Sequence, residues 1–435
     1  VDPVIVGIIG TVLVFLLLFL GMPIAFALMF VGFAGVTYLA SVGAALPMVA
    51  RTVYEVSAYF PYTVIPLFIV MGGFAGSSGM TKEMYSTFDK WLRRLPGGLA
   101  IATIGACAGF AAVSGSSVAT AATMGTVALP EMDRYKYHPR LATGSIAAGG
   151  TLGFLIPPSI GFIVYGMLTE QSIGKLLVAG IIPGLTLAVA YIVIVISMVK
   201  MNRSLAPASP ESVTWKEKFS ALLGIWEPLV VFFLVMGGIY GGFFTPTEAG
   251  AIGATILFIF AIIKRRLTRE NLMEALQEAV RISVMVLFLV AGANVFSYFL
   301  ALSTIPMRVA EWAAALTVSP YLIHTIIVVI YLFLGCFLDA ISMMVLTMPV
   351  IFPVIIALGF DPIWFGVIAV LMMEAGLITP PMGLNIFTVA GVAKGVKVET
   401  IFRGVAPFLF AIFAIVAMIT IFPQIALLLP GMMTR

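Results

Sequence analysis

Long apolar runs separated by short polar breaks dominate the chain. They fall at roughly 4–20, 24–44, 61–79, 97–130, 141–168, 177–199, 224–243, 247–263, 282–300, 321–353, 362–392 and 404–429. Most are close to the ~20 residues an α-helix needs to cross a hydrocarbon core. Two of them, 97–130 and 321–353, are too long for one crossing and carry breakers near their middles. Each is expected to be a re-entrant hairpin that enters and leaves on one side. The pattern predicts an all-α polytopic membrane protein with about ten membrane-crossing helices and two re-entrant helical hairpins.

Composition excludes an ordinary soluble domain, because 62% of the 435 residues are hydrophobic and 10% charged, against about 25% charged in soluble proteins. The placement of Lys and Arg then orients the segments, since basic loops stay cytoplasmic. Lys82, Lys90, Arg93 and Arg94 precede the first hairpin, and Arg134, Lys136 and Arg140 follow it, so it opens to the cytoplasm. Further basic loops carry Lys200, Arg203, Lys216 and Lys218, then Lys264, Arg265, Arg266, Arg269 and Arg281, then Lys394, Lys397 and Arg403. The loops near 41–60, 169–176, 302–320 and 354–361 have at most one basic residue each. Counting crossings from an outside N-terminus puts every basic loop inside, the second hairpin opening outside, and both termini in the periplasm.

The two halves repeat. A shift of 223 carries Pro23 to Pro246, Pro130 to Pro353, Gly153 to Gly376 and Pro157-Pro158 to Pro380-Pro381, and a shift of 220 superposes Leu67-Phe68 and Gly72 on Leu287-Phe288 and Gly292. With an odd number of crossings per half, the second copy is inverted relative to the first, a construction found in many secondary transporters. The expected units are a first repeat over 1–200, a cytoplasmic linker over 201–222 and a second repeat over 223–435. Pro207, Ser209 and Pro210 mark the linker. Residues 266–281, with 49–60 in the matching position, read as an amphipathic helix lying in the interface.

Candidate chemistry sits where apolar segments are broken. Ser114-Gly115-Ser116-Ser117 interrupts the first hairpin. Irregular backbone at membrane depth is tolerated only when buried in protein or lining a wet cavity. Each half also holds a second broken helix. The first is Gly149-Gly150-Thr151-Leu152-Gly153 followed by Pro157-Pro158-Ser159, and the other is Glu374-Ala375-Gly376 followed by Thr379-Pro380-Pro381-Met382 and Asn385. Two prolines remove two backbone donors and free carbonyls. Such oxygens suit a small cation, and half-helix N-termini suit a carboxylate. A plain proline kink is the competing reading, weakened by its recurrence at symmetric positions opposite two hairpins.

The second hairpin reads Gly335-Cys336-Phe337-Leu338-Asp339-Ala340-Ile341-Ser342, and Asp339 aligns with Ser116 at the 223 shift. An intramembrane acid is a functional candidate, and a hairpin-capping role is compatible with that. Glu374 and Glu248 rank lower, each expected near a membrane boundary, with Thr245-Pro246-Thr247-Glu248 reading as a helix start. Asn294, mid-span, either lines the site or bridges helices. Arg51, Arg281 and Arg308 read as interfacial anchors, so no cation for an anionic solute stands out. Cys107 and Cys336 lie in apolar segments, and His138 and His324 are far apart. Neither a disulfide framework nor a His-based metal centre is expected. The first apolar segment lacks a basic start and a cleavage site, so no signal peptide is expected.

The runs from Gly115 to Met132 and from Gly144 to Ser159, with Thr245-Pro246-Thr247-Glu248-Ala249 and Leu377 to Asn385, resemble the large membrane subunit of TRAP (tripartite ATP-independent periplasmic) transporters over essentially the whole chain. The resemblance implies a bacterial inner-membrane sodium symporter for organic acids with an elevator-like motion. Both hairpins and the broken helices 141–168 and 362–392 would form its transport domain, with the other helices as scaffold. It implies two partners, a small four-helix membrane subunit and a soluble periplasmic protein that delivers substrate. The small subunit is expected as a separate chain, because this one begins at the first large-subunit helix. Sodium would be the coupling ion, with no other cofactor and no nucleic acid, in contact with membrane lipid.

By matching motif the sodium sites would fall at Ser114, Gly115, Ser116, Gly150 and Pro157 on one side. On the other they would fall at Gly335, Asp339, Thr379 and Met382, the last two partly through backbone carbonyls. Ser117, Thr151, Ser159, Asn294, Ser342 and Asn385 are the polar positions expected to meet substrate, a C4-dicarboxylate, a sialic acid or another small acid. A stand-alone symporter or antiporter without a binding protein is the alternative. An intramembrane enzyme would need a nucleophile–base pair or metal ligands, and a channel is disfavoured by the inverted broken-helix repeat.

Overall fold

The computed structural model describes residues 2–207 and 213–433, and the regular structure there is helical throughout. Ser209 and Pro210 of the expected linker lie outside the described residues. Among the described residues six helices are individually long and apolar enough to cross a membrane, or eight if two bent pairs each count as one span. Pro3–Phe19, Ile24–Leu39 and Pro362–Leu377 are apolar but shorter.

The first hairpin is two packed helices, Gly98–Ser114 and Ser117–Arg134, joined by Gly115 and Ser116 alone. Gly115 adopts φ +65°, a left-handed conformation that glycine takes without a Cβ penalty, and so ends the first helix. Ser116 starts the second by accepting from Ala119 N with its side chain. The second hairpin pairs Pro320–Gly335 with Ala340–Ala357, the latter capped by Asp339.

The two broken helices follow the same logic of punctuation. In the first half, Pro139–Gly150 and Leu152–Leu155 lead to a break at Ile156–Ser159 and then Ile160–Thr169, with a bend of 40°. In the second half, Pro362–Leu377 and Leu384–Val392 flank the break. The first is buried from Leu141 to Met167, and Pro362–Leu377 is buried from Ile363 onward. These broken helices are the core, wrapped by the hairpins and by Ile181–Met201 and Val398–Ile421.

The remaining helices pair across the two halves. Ile24–Leu39 packs on Arg269–Leu302, and Val64–Ser77 packs on Pro246–Ile263. Backbones approach closely there: a Cβ on Gly32 would lie 2.9 Å from Phe296 N, and one on Gly292 would lie 2.7 Å from Ala25 O, as small residues permit in membrane helix packing. Met80–Leu92 and Ile305–Ala315 are arms that run from this group into the hairpins.

One expectation is corrected. Residues 266–281 do not form a separate interfacial helix. From Arg269 they belong to a continuous 34-residue helix, Arg269–Leu302, about 51 Å long at ~1.5 Å per residue. No breaker stands between the amphipathic and apolar stretches, so the helix continues. The first half differs because Phe60-Pro61 sits in a 3₁₀ turn, Phe60–Thr63, that separates Val42–Ala58 from Val64–Ser77. A short surface helix appears instead in the linker, Trp215–Ala221, started by a Thr214–Glu217 capping box. It leaves Trp215 68% and Phe219 60% exposed. It docks on the first arm through Trp91 Nε1 donating to Lys218 O (3.0 Å) and Thr87 Oγ1 donating to Ala221 O (2.6 Å).

Candidate functional site

The first hairpin tip is seated directly on the break of the first broken helix. Ile160 N donates to Gly115 O at 3.4 Å. A Cβ on Gly115 would lie 2.7 Å from Pro158 O, and one on Gly153 would lie 2.6 Å from both Ser116 C and Ser116 O. Only glycine allows this spacing. The hydroxyls are ordered as well: Ser114 Oγ meets Thr120 Oγ1 at 3.1 Å, and Thr120 Oγ1 donates to Ser116 O at 2.7 Å. Ser159 Oγ accepts from Phe162 N (3.2 Å) and donates to Phe154 O. Two half-helix N-termini, at Ser116–Ser117 and Ser159–Ile160, therefore converge with the carbonyls of Gly115, which accepts from Ile160 N, and of Pro158.

Gly150 lies beside this junction, where its Cβ would meet Ala121 Cβ at 2.8 Å, Ser117 O at 3.1 Å and Asn385 Nδ2 at 3.2 Å. The Thr151 hydroxyl is turned away, donating to Ala148 O (2.6 Å) and meeting Tyr191 OH (2.8 Å). Pro157 stands in the break itself.

Ser114 and Ser116 face a cavity of about 440 Å³. Its opposite wall is Gly72, Gly73 and Gly76 of Val64–Ser77, with Asn271, Glu274 and Glu278 of Arg269–Leu302. No Lys, Arg or His is among the described residues that line it. An anion held here would meet helix N-termini and hydroxyls rather than a basic side chain, and would face the carboxyls of Glu274 and Glu278 across the cavity.

The second tip is built alike but is more open. Gly335 and Gly376 approach so closely that a Cβ on Gly335 would lie 3.0 Å from Gly376 Cα, and Met382 N donates to Cys336 O at 3.3 Å. Asp339 is exposed and its Oδ1 accepts from the backbone N–H of the buried Ser342 at 3.1 Å. Thr379 Oγ1 donates to Ala375 O at 2.6 Å, and Met382 is 54% exposed. Gly335, Asp339, Ser342, Thr379 and Met382 thus gather at one tip. Asn294 joins neither tip. It lines a separate cavity of about 1040 Å³ with Tyr54, Tyr59, Tyr62, Glu170 and Thr245.

Glu374 is the residue that sequence reasoning underrated. It is 0% exposed and accepts from Ser117 Oγ of the first hairpin. Its depth was the available signal. Twelve residues beyond Pro362, at ~1.5 Å each, put it about 18 Å along the helix and far from an end in contact with water. Asn385, beyond the break, also reaches the first half, with Nδ2 donating to Ala147 O at 3.4 Å.

Comparison with known proteins places this geometry. Residues 11–425 match the family described as "Tripartite ATP-independent periplasmic transporter, DctM component". The chain is 34% identical to the C4-dicarboxylate TRAP transporter large permease protein DctM of Pseudomonas aeruginosa, over 88% of this chain and 89% of that protein. It is 32% identical to the sialic acid TRAP transporter large permease protein SiaM of Vibrio cholerae, over 95% of this chain and 96% of that protein. In fold it is similar to the crystal structure of the YdaH transporter of Alcanivorax borkumensis, with a TM-score of 0.63 and 16% identity, covering 89% of this chain and 90% of that one.

Proposed function

The chain belongs to the DctM component family of tripartite ATP-independent periplasmic transporters, and on that premise we propose that it is a sodium-coupled importer of a small organic acid anion. The family consists of multi-pass inner-membrane permeases, not enzymes, that work with a small membrane subunit and a periplasmic binding protein. In this reading the substrate is of the dicarboxylate or sialic acid type and is handed over by such a binding protein. Both termini face the periplasm. The two hairpins and broken helices form a transport domain that moves as an elevator against the remaining helices.

The observation that carries the reading is the first tip. Two half-helix N-termini, ordered serine hydroxyls and the carbonyls of the break meet beside a cavity between that tip and the cross-paired helices. Carbonyls and hydroxyls supply hard oxygen ligands for Na⁺, and the N-termini supply partial positive charge for a carboxylate. The residues that would hold the ions are Ser114, Gly115, Ser116, Gly150 and Pro157 at one tip and Gly335, Asp339, Thr379 and Met382 at the other. With the basic loops inside, the cavity opens toward the cytoplasm, which is the releasing side of an importer.

Thermal unfolding of the purified chain in NaCl, KCl and choline chloride at equal ionic strength tests the coupling ion. A ligand that binds only the folded state raises stability by mass action. A sodium-specific rise that is reduced in Asp339→Ala is expected. No sodium-specific rise in the wild type refutes sodium coupling. Uptake into proteoliposomes with the small subunit and candidate binding proteins then identifies the acid.

A further inference from the structure

Glu374 and Asn385 flank the second break, and both reach across into the first half. Each side chain is fully buried, and each leaves one acceptor oxygen, Glu374 Oε2 and Asn385 Oδ1, without a hydrogen-bond partner among the described residues. They share a neighbourhood. Ser117 Oγ donates to Glu374 Oε1, while a Cβ on Gly150 would lie 3.1 Å from Ser117 O and 3.2 Å from Asn385 Nδ2. The Phe154 backbone amide lies beside the same carboxyl, and no described ion pair includes Glu374.

A buried carboxylate without a counter-charge is strongly disfavoured, and so is a buried amide oxygen without a donor. A cation that accepts several oxygen ligands answers both. We propose that Glu374, Asn385 and Ser117 hold one Na⁺ at the junction of the first hairpin with the two broken helices, a site distinct from the two tips. The ligands would be Glu374 Oε2, Asn385 Oδ1 and the Ser117 carbonyl, all hard oxygens suited to such an ion. The site is single, because Glu374 aligns at the 223 shift with Thr151, whose hydroxyl is already taken up by Ala148 O and Tyr191 OH. It deepens the sodium-coupling reading and rests on it. Because the same carboxyl receives the Ser117 hydrogen bond, binding here would tie the first hairpin to the second half of the molecule.

The test is the number and affinity of sodium ions bound by the full-length chain, measured with radioactive ²²Na⁺ in equilibrium dialysis against choline chloride. The proteins are the wild type, Glu374→Gln, Asn385→Leu and Asp339→Ala. Glu374→Gln keeps the acceptor for Ser117 and removes the charge. Asn385→Leu keeps the shape and removes the second oxygen, so it carries the test if the glutamine variant does not fold. Each of these two variants should bind one ion fewer than the wild type, or bind one ion at least tenfold more weakly. Wild-type stoichiometry and affinity in both variants overturn the site, including the case where Glu374→Gln changes only a pH dependence, which would mark a resident proton instead. If Asp339→Ala alone loses an ion, the tip reading stands and only this site falls. If the wild type binds no sodium, the coupling reading falls first and this site with it.

Discussion

Replacing Gly153 with alanine probes how tightly the first hairpin must sit on its broken helix. The added Cβ would lie 2.6 Å from Ser116 C and O and 2.7 Å from Ser117 N. Favourable non-bonded separations between carbon atoms are about 3.5–4.0 Å, so the tip has to retreat by roughly 1 Å. All three atoms are backbone, so no change of rotamer relieves the clash. Adding one methyl group to a packed interior costs typically about 1–3 kcal/mol. Charged against the closed tip, that lowers its population roughly 5- to 150-fold. The helix around Gly153 gains about 0.5–1 kcal/mol from alanine, so global stability should move less than ion binding does. The assay is the sodium concentration at the midpoint of thermal stabilisation, read beside Gly391→Ala, where a Cβ meets nothing within 4 Å. The midpoint should rise at least fivefold in Gly153→Ala and stay within twofold in Gly391→Ala. Equal midpoints in both variants would refute the claim that the tip's seat on the break forms the ion site.

Asp339→Asn keeps an acceptor for Ser342 N and removes the charge, so it should remove the second tip's share of the sodium response at near wild-type melting temperature; Asp339→Ala should also lose the cap, for about 1 kcal/mol. A wild-type sodium response in the asparagine variant would leave Asp339 a cap only. Lys264 Nζ stands 2.6 Å from Glu83 and 2.9 Å from Glu227, whose side chain is 5% exposed. Lys264→Met should therefore cost about 2–3 kcal/mol by leaving a buried charge unpaired, less than a fully buried pair because Lys264 is itself partly exposed. Glu227→Gln in the same protein should restore most of that in a double-mutant unfolding cycle, and additive losses would contradict the pairing. Hydrogen bonds from the Thr214 backbone and side chain hold the Glu217 carboxyl below its ordinary range. The folded value lies under the unfolded one, so this cap's stabilisation is present at neutral pH and is lost as pH falls through the folded value, under about 4.3. An acid shift in Trp215 emission should report it and disappear in Thr214→Ala; the same shift in both proteins would exclude the cap as its cause.

What the sequence made legible was punctuation. Gly115 and the Pro157-Pro158 and Pro380-Pro381 pairs break apolar runs by local backbone chemistry, so the hairpin tips and broken helices sit where those residues predict. Contacts between distant segments were not legible. Nothing near Glu374 in the chain says that Ser117, 257 residues away, will donate to it, although its depth follows from counting residues along the run that starts at Pro362. The direction in which Asn294 points depends on the rotation of a helix whose neighbours come from the other half. The amphipathic stretch near 270 looked like a boundary because its polarity changes there. Polarity alone does not end a helix when no Gly or Pro stands at the junction, and Pro61 shows what the first half has instead.

The two arms leave their corners in different chemistry, and that difference bears on how the molecule can move. At the first corner Gly79 has φ +72°, Arg266 of the second half occupies the space a Cβ would need, and its Nη1 donates to Ser78 O at 3.0 Å. Arg266 also pairs with Glu83 at 3.1 Å, which Lys264 approaches as well. At the second corner Thr304 has φ +60°, and the contact is apolar and close: a Cβ on Gly7 of the first half would lie 2.5 Å from Ile305 Cδ1 and Ser303 Oγ. Each arm is thus anchored on the opposite half, by charge at one end and by small-residue packing at the other. Salt screens exposed charges and leaves dispersion contacts almost untouched. A motion that pivots on these corners would therefore loosen at the first arm before the second as ionic strength rises. Each corner takes its contacts from the opposite half, so the two halves brace each other.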